Sequence, residues 1–158
     1  MLERLGVNNM MRTILTTLCL LFASMTASYA FQVVKQFTPS NVDSVAVSIA
    51  DGADNGCWTN LGEVKRYAED KLELAGFTLR STKDSWTPKG YLMTITVTSS
   101  RGYSGCFGSV AFQIYQPNWV EGMYGHLEVG KGGSVFTGQE NANQLVLNYT
   151  RMFFDELP

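Results

Sequence analysis

The chain has 158 residues, 45% of them hydrophobic and 16% charged, with a formal net charge of −2. After removal of a leader that length suits one domain. The lack of a basic excess removes the electrostatic footprint of a nucleic-acid binder.

Residues 13–30 read TILTTLCLLFASMTASYA, a mostly apolar run behind Arg4 and Arg12 that ends on Ser28-Tyr29-Ala30. A basic start, a short apolar core and small residues at the cleavage positions describe a secretory signal peptide. Cleavage is expected after Ala30, leaving 31–158 as the mature domain. Met10 and Met11 offer later starts. The alternative is an uncleaved anchor, but the central run, 14–23, is shorter than the roughly 20 apolar residues of a spanning helix. Cys19 lies inside the apolar core, where a lipoprotein's modified cysteine would follow it. The mature chain is therefore expected to be soluble and periplasmic or secreted. It keeps ten Lys/Arg and thirteen Asp/Glu, a net charge of −3. No later stretch is apolar for long enough to span a membrane.

Export gives the two remaining cysteines, Cys57 and Cys106, a reason to pair. The bridge would close a loop of about fifty residues, worth roughly 4 kcal/mol in the chain-entropy account. Buried free thiols are the alternative.

Residues 31–41 read as a connecting arm. In 43–50 Val45, Val47 and Ile49 alternate with small residues, the pattern of a strand with one buried face. The segment 51–56, DGADNG, is turn chemistry. A helix follows: Asn60 and Glu63 have capping-box spacing, and Leu61, Val64, Ala68, Leu72 and Ala75 form an apolar stripe. Gly76 stands at the C′ position, with Phe77 able to pack back on the last turn. Residues 77–83 read as a short strand and 86–90 as a loop. In 91–98 Tyr91, Met93, Ile95 and Val97 alternate with Leu92 and three threonines, a strong strand pattern. A hairpin loop is expected over 99–105. Val110, Phe112 and Ile114 mark the inner face of the next strand, which Pro117 is expected to end. The Gly-rich stretch 122–138 suggests one more hairpin: Leu127 and Val129, a turn at Lys131-Gly-Gly133, then Val135 and Phe136. Asn141 and Gln144 have the spacing of a second capping box. Ala142, Leu145, Val146, Tyr149, Met152, Phe153 and Leu157 then line one side of a closing helix.

This order predicts an α+β domain, an antiparallel or mixed sheet of four to five strands with two helices packed on one face. The strand at 77–83 creates a conflict. With it in place, Cys57 before the helix and Cys106 after the following hairpin fall at opposite ends of the sheet. Pairing then requires a tilted helix, a partial second strand or an excursion by the linker 51–60.

The β-α-β-β-β-α order resembles small envelope proteins of Gram-negative bacteria, such as the lipopolysaccharide-assembly lipoprotein of the outer membrane. The resemblance spans most of the mature chain in element order and rests on no specific motif. The ending FFDELP is only loosely similar, and the lipoprotein cysteine is missing. It implies an envelope protein of assembly or binding type, although fold does not transfer function.

Residues able to carry chemistry are sparse. His126 is the single histidine and has no nucleophile motif around it, so a surface or structural role is expected. One histidine and two distant cysteines do not make a zinc set. Asp51 and Asp54 lack the ligand series of a calcium loop. Residues 130–133, GKGG, are too short for a phosphate loop. Cys57 and Cys106 are not spaced as CxxC. No cofactor motif is found, and the sequon Asn148-Tyr149-Thr150 lies in a predicted helix. The aromatics are more informative. Trp86 and Trp119 occupy loops that meet at one end of an antiparallel pair, with Tyr124 near, and Trp and Tyr favour binding hot spots. Trp86, Trp119 and Tyr124 are thus the candidate contact surface for an envelope protein, glycan or lipid. The alternative is a lid over the core edge. The expected function is a non-enzymatic binding or assembly accessory domain. A small hydrolase with a carboxylate site, or a secreted effector or inhibitor, are the other readings.

Overall fold

The computed structural model describes residues 32–84, 87 and 89–157. The expected leader and the expected cleavage after Ala30, and also Trp86, fall outside these residues. In chain order the elements are β1 (Gln32–Val33), β2 (Ser44–Ala53), α1 (Leu61–Leu74), β3 (Gly90–Gly102), β4 (Gly105–Val120), β5 (Met123–Gln139) and α2 (Asn143–Asp155). Among the described residues the strands form one mixed sheet in the order β1-β5-β4-β3-β2. The α+β expectation holds, with five strands and two helices.

Period-two patterning decides which face is buried. Val45 and Val47 of β2, Tyr91, Met93, Ile95 and Val97 of β3, and Val110, Phe112 and Ile114 of β4 are all buried and fall in register with one another. On this face α1 buries Val64, Ala68 and Leu72 and α2 buries Val146, Thr150 and Phe153, within one hydrophobic cluster. The rings of Phe112 and Phe153 stack at 4.8 Å, which seats α2 on β4. Thr150 takes a place in the stripe where Met152 was expected. Its hydroxyl donates to the Val146 carbonyl at 2.8 Å, so the buried group is satisfied. The arm at 31–41 also joins the core. Phe37 is fully buried, stacked on Phe77 at 4.8 Å and edge-on to Tyr91 at 5.5 Å.

The segment 77–83 is not a strand of the sheet. It makes one isolated parallel bridge, Val45 to Leu79, so α1 leads directly from β2 into β3. A strand-helix-strand crossover of this kind makes its strands parallel, and β2 pairs parallel to β3 from Ser44–Gly90 to Ala53–Ser99. Both strands therefore finish at the same end. Cys57 follows β2 there, and Cys106 lies just past the β3–β4 turn at Tyr103-Ser104. The disulfide Cys57–Cys106 forms with its Cα atoms 5.7 Å apart, and the expected conflict disappears with the extra strand.

Neither capping box forms. Asn60 does precede α1, but its side chain makes no cap bond. Its Oδ1 accepts from the Trp58 indole at 2.8 Å and its Nδ2 donates to Glu63 at 2.9 Å. At α2 the N-cap is Ala142, whose N–H donates to the Cys57 carbonyl at 2.6 Å. Asn143 completes the junction, accepting from the Thr59 N–H at 2.9 Å and donating to the Thr59 hydroxyl at 2.8 Å. Tertiary bonds join the two helix starts, while at α2 the Asn141 Oδ1 still accepts the Asn143 N–H at 3.1 Å. The C-terminus of α1 follows the sequence expectation. Gly76 has φ 90°, and Gly76 and Phe77 donate to the carbonyls of Glu73 and Leu72, the paired bonds of a Schellman ending.

The Gly-rich stretch is also corrected. It is no hairpin but part of one strand of 17 residues. The turn lies earlier, at Glu121 and Gly122, whose φ values of 50° and 80° suit a two-residue hairpin turn. Small residues are needed where β5 crosses β4, since a Cβ at Gly133 would come within 2.7 Å of the Val110 carbonyl. Nor does Pro117 end β4. It pairs with His126 beyond the last β3 partner of β4, Tyr115, so its missing N–H breaks no pair of the β3–β4 ladder. Ser99 is buried with no hydrogen-bond partner for its hydroxyl among the described residues.

Two outcomes follow for stability. Alkylation of the folded protein leaves Cys57 and Cys106 unlabelled until reductant is added, and the double change Cys57→Ser, Cys106→Ser lowers unfolding free energy by up to about 4 kcal/mol in denaturant titration. Gly108→Ala, whose new Cβ would collide with the Thr98 carbonyl, costs at least about 1–3 kcal/mol. Gly125→Ala, which meets nothing within 4 Å, leaves the midpoint nearly unchanged.

Candidate functional site

The strands β4 and β5 run on past β3 as a two-stranded ribbon. Its register pairs Tyr115 with Glu128, Pro117 with His126 and Trp119 with Tyr124. The parity of β5 changes on the way. Ile114 pairs with Gly130 but Tyr115 pairs with Glu128, leaving Val129 as an extra residue in a bulge. A bulge of this kind re-aims the side chains beyond it. Before the bulge the odd residues of β5, Lys131 and Gly133, oppose Gln113 and Ala111 on the helix-free face. Past it the even residues Glu128, His126 and Tyr124 take that face, opposite Tyr115, Pro117 and Trp119.

The result is a continuous ladder of rings. Trp119 and Tyr124 lie edge to face at 5.3 Å, Tyr124 and His126 at 5.3 Å, and Tyr115 and His126 at 6.2 Å. The Tyr124 hydroxyl and His126 Nε2 are 3.4 Å apart. Trp119 is 66% exposed and Tyr124 42% exposed, so they do not fold over the core as a lid. On the opposite face of the tip Met123 and Leu127 are 69% and 51% exposed. Leu127, placed from sequence in a hairpin of the Gly-rich stretch, lies on the exposed tip of β5.

At the base of the ladder the groups become polar. Glu128 accepts from the Gln113 amide at 3.2 Å and pairs with Lys131 at 3.5 Å. Burial, and after it the Glu128 carboxylate, raise the Tyr115 phenol above its ordinary pKa of 10.0. Burial alone raises that of Tyr91 in the core. Beside this ion pair lies a shallow depression of about 370 Å³, lined by Gln32, Gln113, Glu128, Lys131, Gly132 and Gly133.

Of the three residues named from sequence, Trp119 and Tyr124 are brought together as a cross-strand pair, and Trp86 lies outside the described residues. Tyr115 and His126 were missed as members. The signal for them was present in their spacing from Trp119 and Tyr124, but it could be used only once the turn had been placed at Glu121-Gly122. Asp51 lies in β2, paired with Val97, and its carboxylate accepts the Ala53 N–H at 3.0 Å; of the turn expected over 51–56 only Asn55 and Gly56, both with positive φ, form the turn itself. Among the described residues no group of three or more His, Cys, Asp or Glu is arranged to hold a metal. No helix there is long and apolar enough to cross a membrane.

No family model matches the chain, and no curated protein matches it. Among solved structures it is similar to a point variant of the PelC dodecamer from Paraburkholderia phytofirmans, at 15% identity and a TM-score of 0.50 over 80% of this chain and 92% of that one. The PelC dodecamer of the same organism in a second crystal form gives 15% identity and a TM-score of 0.46 over 79% and 92%. An uncharacterised protein gives 10% and 0.34 over 73% and 88%. At these identities the first likeness is one of fold alone.

Two measurements probe the ladder. Trp119→Ala and Tyr124→Ala each cost less than about 1 kcal/mol of stability, the scale of an exposed cross-strand pair, in denaturant titration. In alkaline titration the Tyr115 phenolate, isolated by difference against Tyr115→Phe, forms above pH 10, and Glu128→Gln lowers its midpoint.

Proposed function

We propose that this chain is an exported, non-enzymatic module of the cell envelope, periplasmic or secreted, and that it captures a partner on the ring ladder of its β4–β5 ribbon. The observation that carries this reading is the exposure of Trp119 and Tyr124, paired across the end of the β4–β5 ribbon. Aromatic rings supply large contact area for little ordering entropy, and exposed apolar patches mark interaction sites. The disulfide supports the extracytoplasmic setting, because such bonds persist in oxidising compartments.

An oligosaccharide is the ligand this surface fits best. Ring faces can cover the C–H side of a sugar, while the amide of Gln113, the Glu128–Lys131 pair and His126 offer planar or charged groups to its hydroxyls. The ladder from Tyr115 to Trp119 spans about 13 Å at strand rise, room for a few sugar units. The single carboxylate at the depression, Glu128, is neutralised by Lys131, an arrangement that suits holding a ligand more than acid-base work on it.

The test is capture of envelope material by the immobilised exported protein, with Trp fluorescence titrated against purified envelope polysaccharide. Trp119→Ala and Tyr124→Ala are each expected to weaken binding about thirtyfold, the scale of a hot spot. Equal capture by wild type and both variants would sink the reading. Retention of a protein in place of polysaccharide would keep the site but replace the ligand.

A further inference from the structure

Taking the ring ladder as a ligand site, as proposed for it above, we infer that it is one end of a longer track along β4, from Trp119 to Phe107, and that the ligand is a neutral linear polysaccharide. The strand β4 is regular throughout. Both register shifts in its pairing with β5 put the extra residue in β5, and β4 stays in step with β3 from Gly105 to Tyr115. Its odd residues therefore keep to the helix-free face, just as Val110, Phe112 and Ile114 keep to the core. From Phe107 to Trp119 this row runs about 40 Å at strand rise, roughly three times the ladder.

The two ends of the row are alike and its middle differs. At the far end Phe107 is 49% exposed, and Val135, opposite Ser109 on β5, is 78% exposed. The Phe107 ring rests on Gly102 of β3, where a Cβ would come within 3.3 Å of it. Between this second apolar platform and the ladder the row reads Ser109, Ala111 and Gln113, beside Thr98, Thr96 and Thr94 of β3. None of these side chains is charged. Ala111 and Gly133 are the small residues of the depression of about 370 Å³, so a chain crossing from one platform to the other can lie close to the sheet. These features select the ligand. Hydroxyl and amide groups can both donate to and accept from sugar hydroxyls, while the platforms suit the C–H faces of the rings. The Glu128–Lys131 pair leaves no uncompensated charge facing a neutral unit. A polymer of uronates or amino sugars would set a charge in every unit against a stretch with no counter-charge, and desolvating it there is costly.

The experiment expresses the full chain and titrates the purified protein with a partial acid hydrolysate of envelope polysaccharide, separated by size and, on an ion exchanger, by charge. Neutral fragments long enough to cover the row are expected to bind at least about tenfold more tightly than tetrasaccharides, which the ladder alone can hold, the gain of one further well-used contact region. Phe107→Ala is expected to abolish this gain and Val135→Ser to reduce it, both leaving tetrasaccharide binding unchanged, which is also the check that the variants are folded. Phe107→Trp keeps the gain. Tyr103→Ala, fully exposed on the neighbouring turn, changes nothing, and Trp119→Ala weakens both fragment sizes. Absence of a gain with length, a gain that survives Phe107→Ala, or binding confined to charged fragments overturns the inference while the ladder stands. Binding of no fragment, or tetrasaccharide binding unaffected by Trp119→Ala, overturns the ladder reading and the track with it.

Discussion

The parallel pairing of β2 with β3 is the constraint from which the rest of this structure follows. It brings the ends of both strands, and with them Cys57 and Cys106, to one end of the sheet. The covalent link there is backed by hydrogen bonds that join the starts of α1 and α2: Ala142 to Cys57, and Asn143 to Thr59. Helix ends ordinarily leave several N–H groups to be satisfied by local caps. In this fold Asn60 and Asn143 are spent on the junction between elements, which ties both helices to the same corner of the sheet. At the opposite end Phe37 closes the core on Phe77 and Tyr91.

With one end clasped and the other plugged, β4 and β5 are free to be much longer than their neighbours. Among the described residues no helix lies beneath the tip of the ribbon they form, and Trp119, Met123, Tyr124 and Leu127 there are exposed. Their exposure is a property of the strand lengths. The bulge at Val129 adds the decisive detail. By shifting parity once, it moves Tyr124 and His126 to the same face as Tyr115 and Trp119, so that four rings become one ladder. Without that extra residue the two sets would lie on opposite faces.

Much of the fold was legible in the residues. Both helices, the Schellman ending at Gly76, the inner faces of β2, β3 and β4, and the pairing of Cys57 with Cys106 all follow from patterns within about fifteen residues or from compartment chemistry. The misreadings share a cause. Glycines at 130, 132 and 133 have turn composition, yet all three lie within β5, and at Gly133 the Val110 carbonyl of β4 comes too close for a Cβ. Pro117 reads as a terminator, but its nitrogen lies where β3 no longer runs alongside. The strand expected at 77–83 has a suitable pattern and only one bridge to pair with. Trp119 and Tyr124 were visible as candidates because large aromatics beside turn residues are conspicuous. Tyr115 and His126 were not, since their membership depends on register.

By itself, then, the sequence determined which segments have a buried face and what each helix offers to it, because side-chain period is a local property of backbone geometry. It also carried the export signal pattern and the two cysteines whose pairing that pattern makes reasonable. Tertiary structure decided the rest: that β2 and β3 run parallel so the cysteines can meet, that β5 is one strand, and that a bulge turns scattered aromatics into a surface. Those outcomes depend on which strand lies beside which, and neighbour relations between distant segments leave no periodic mark on either.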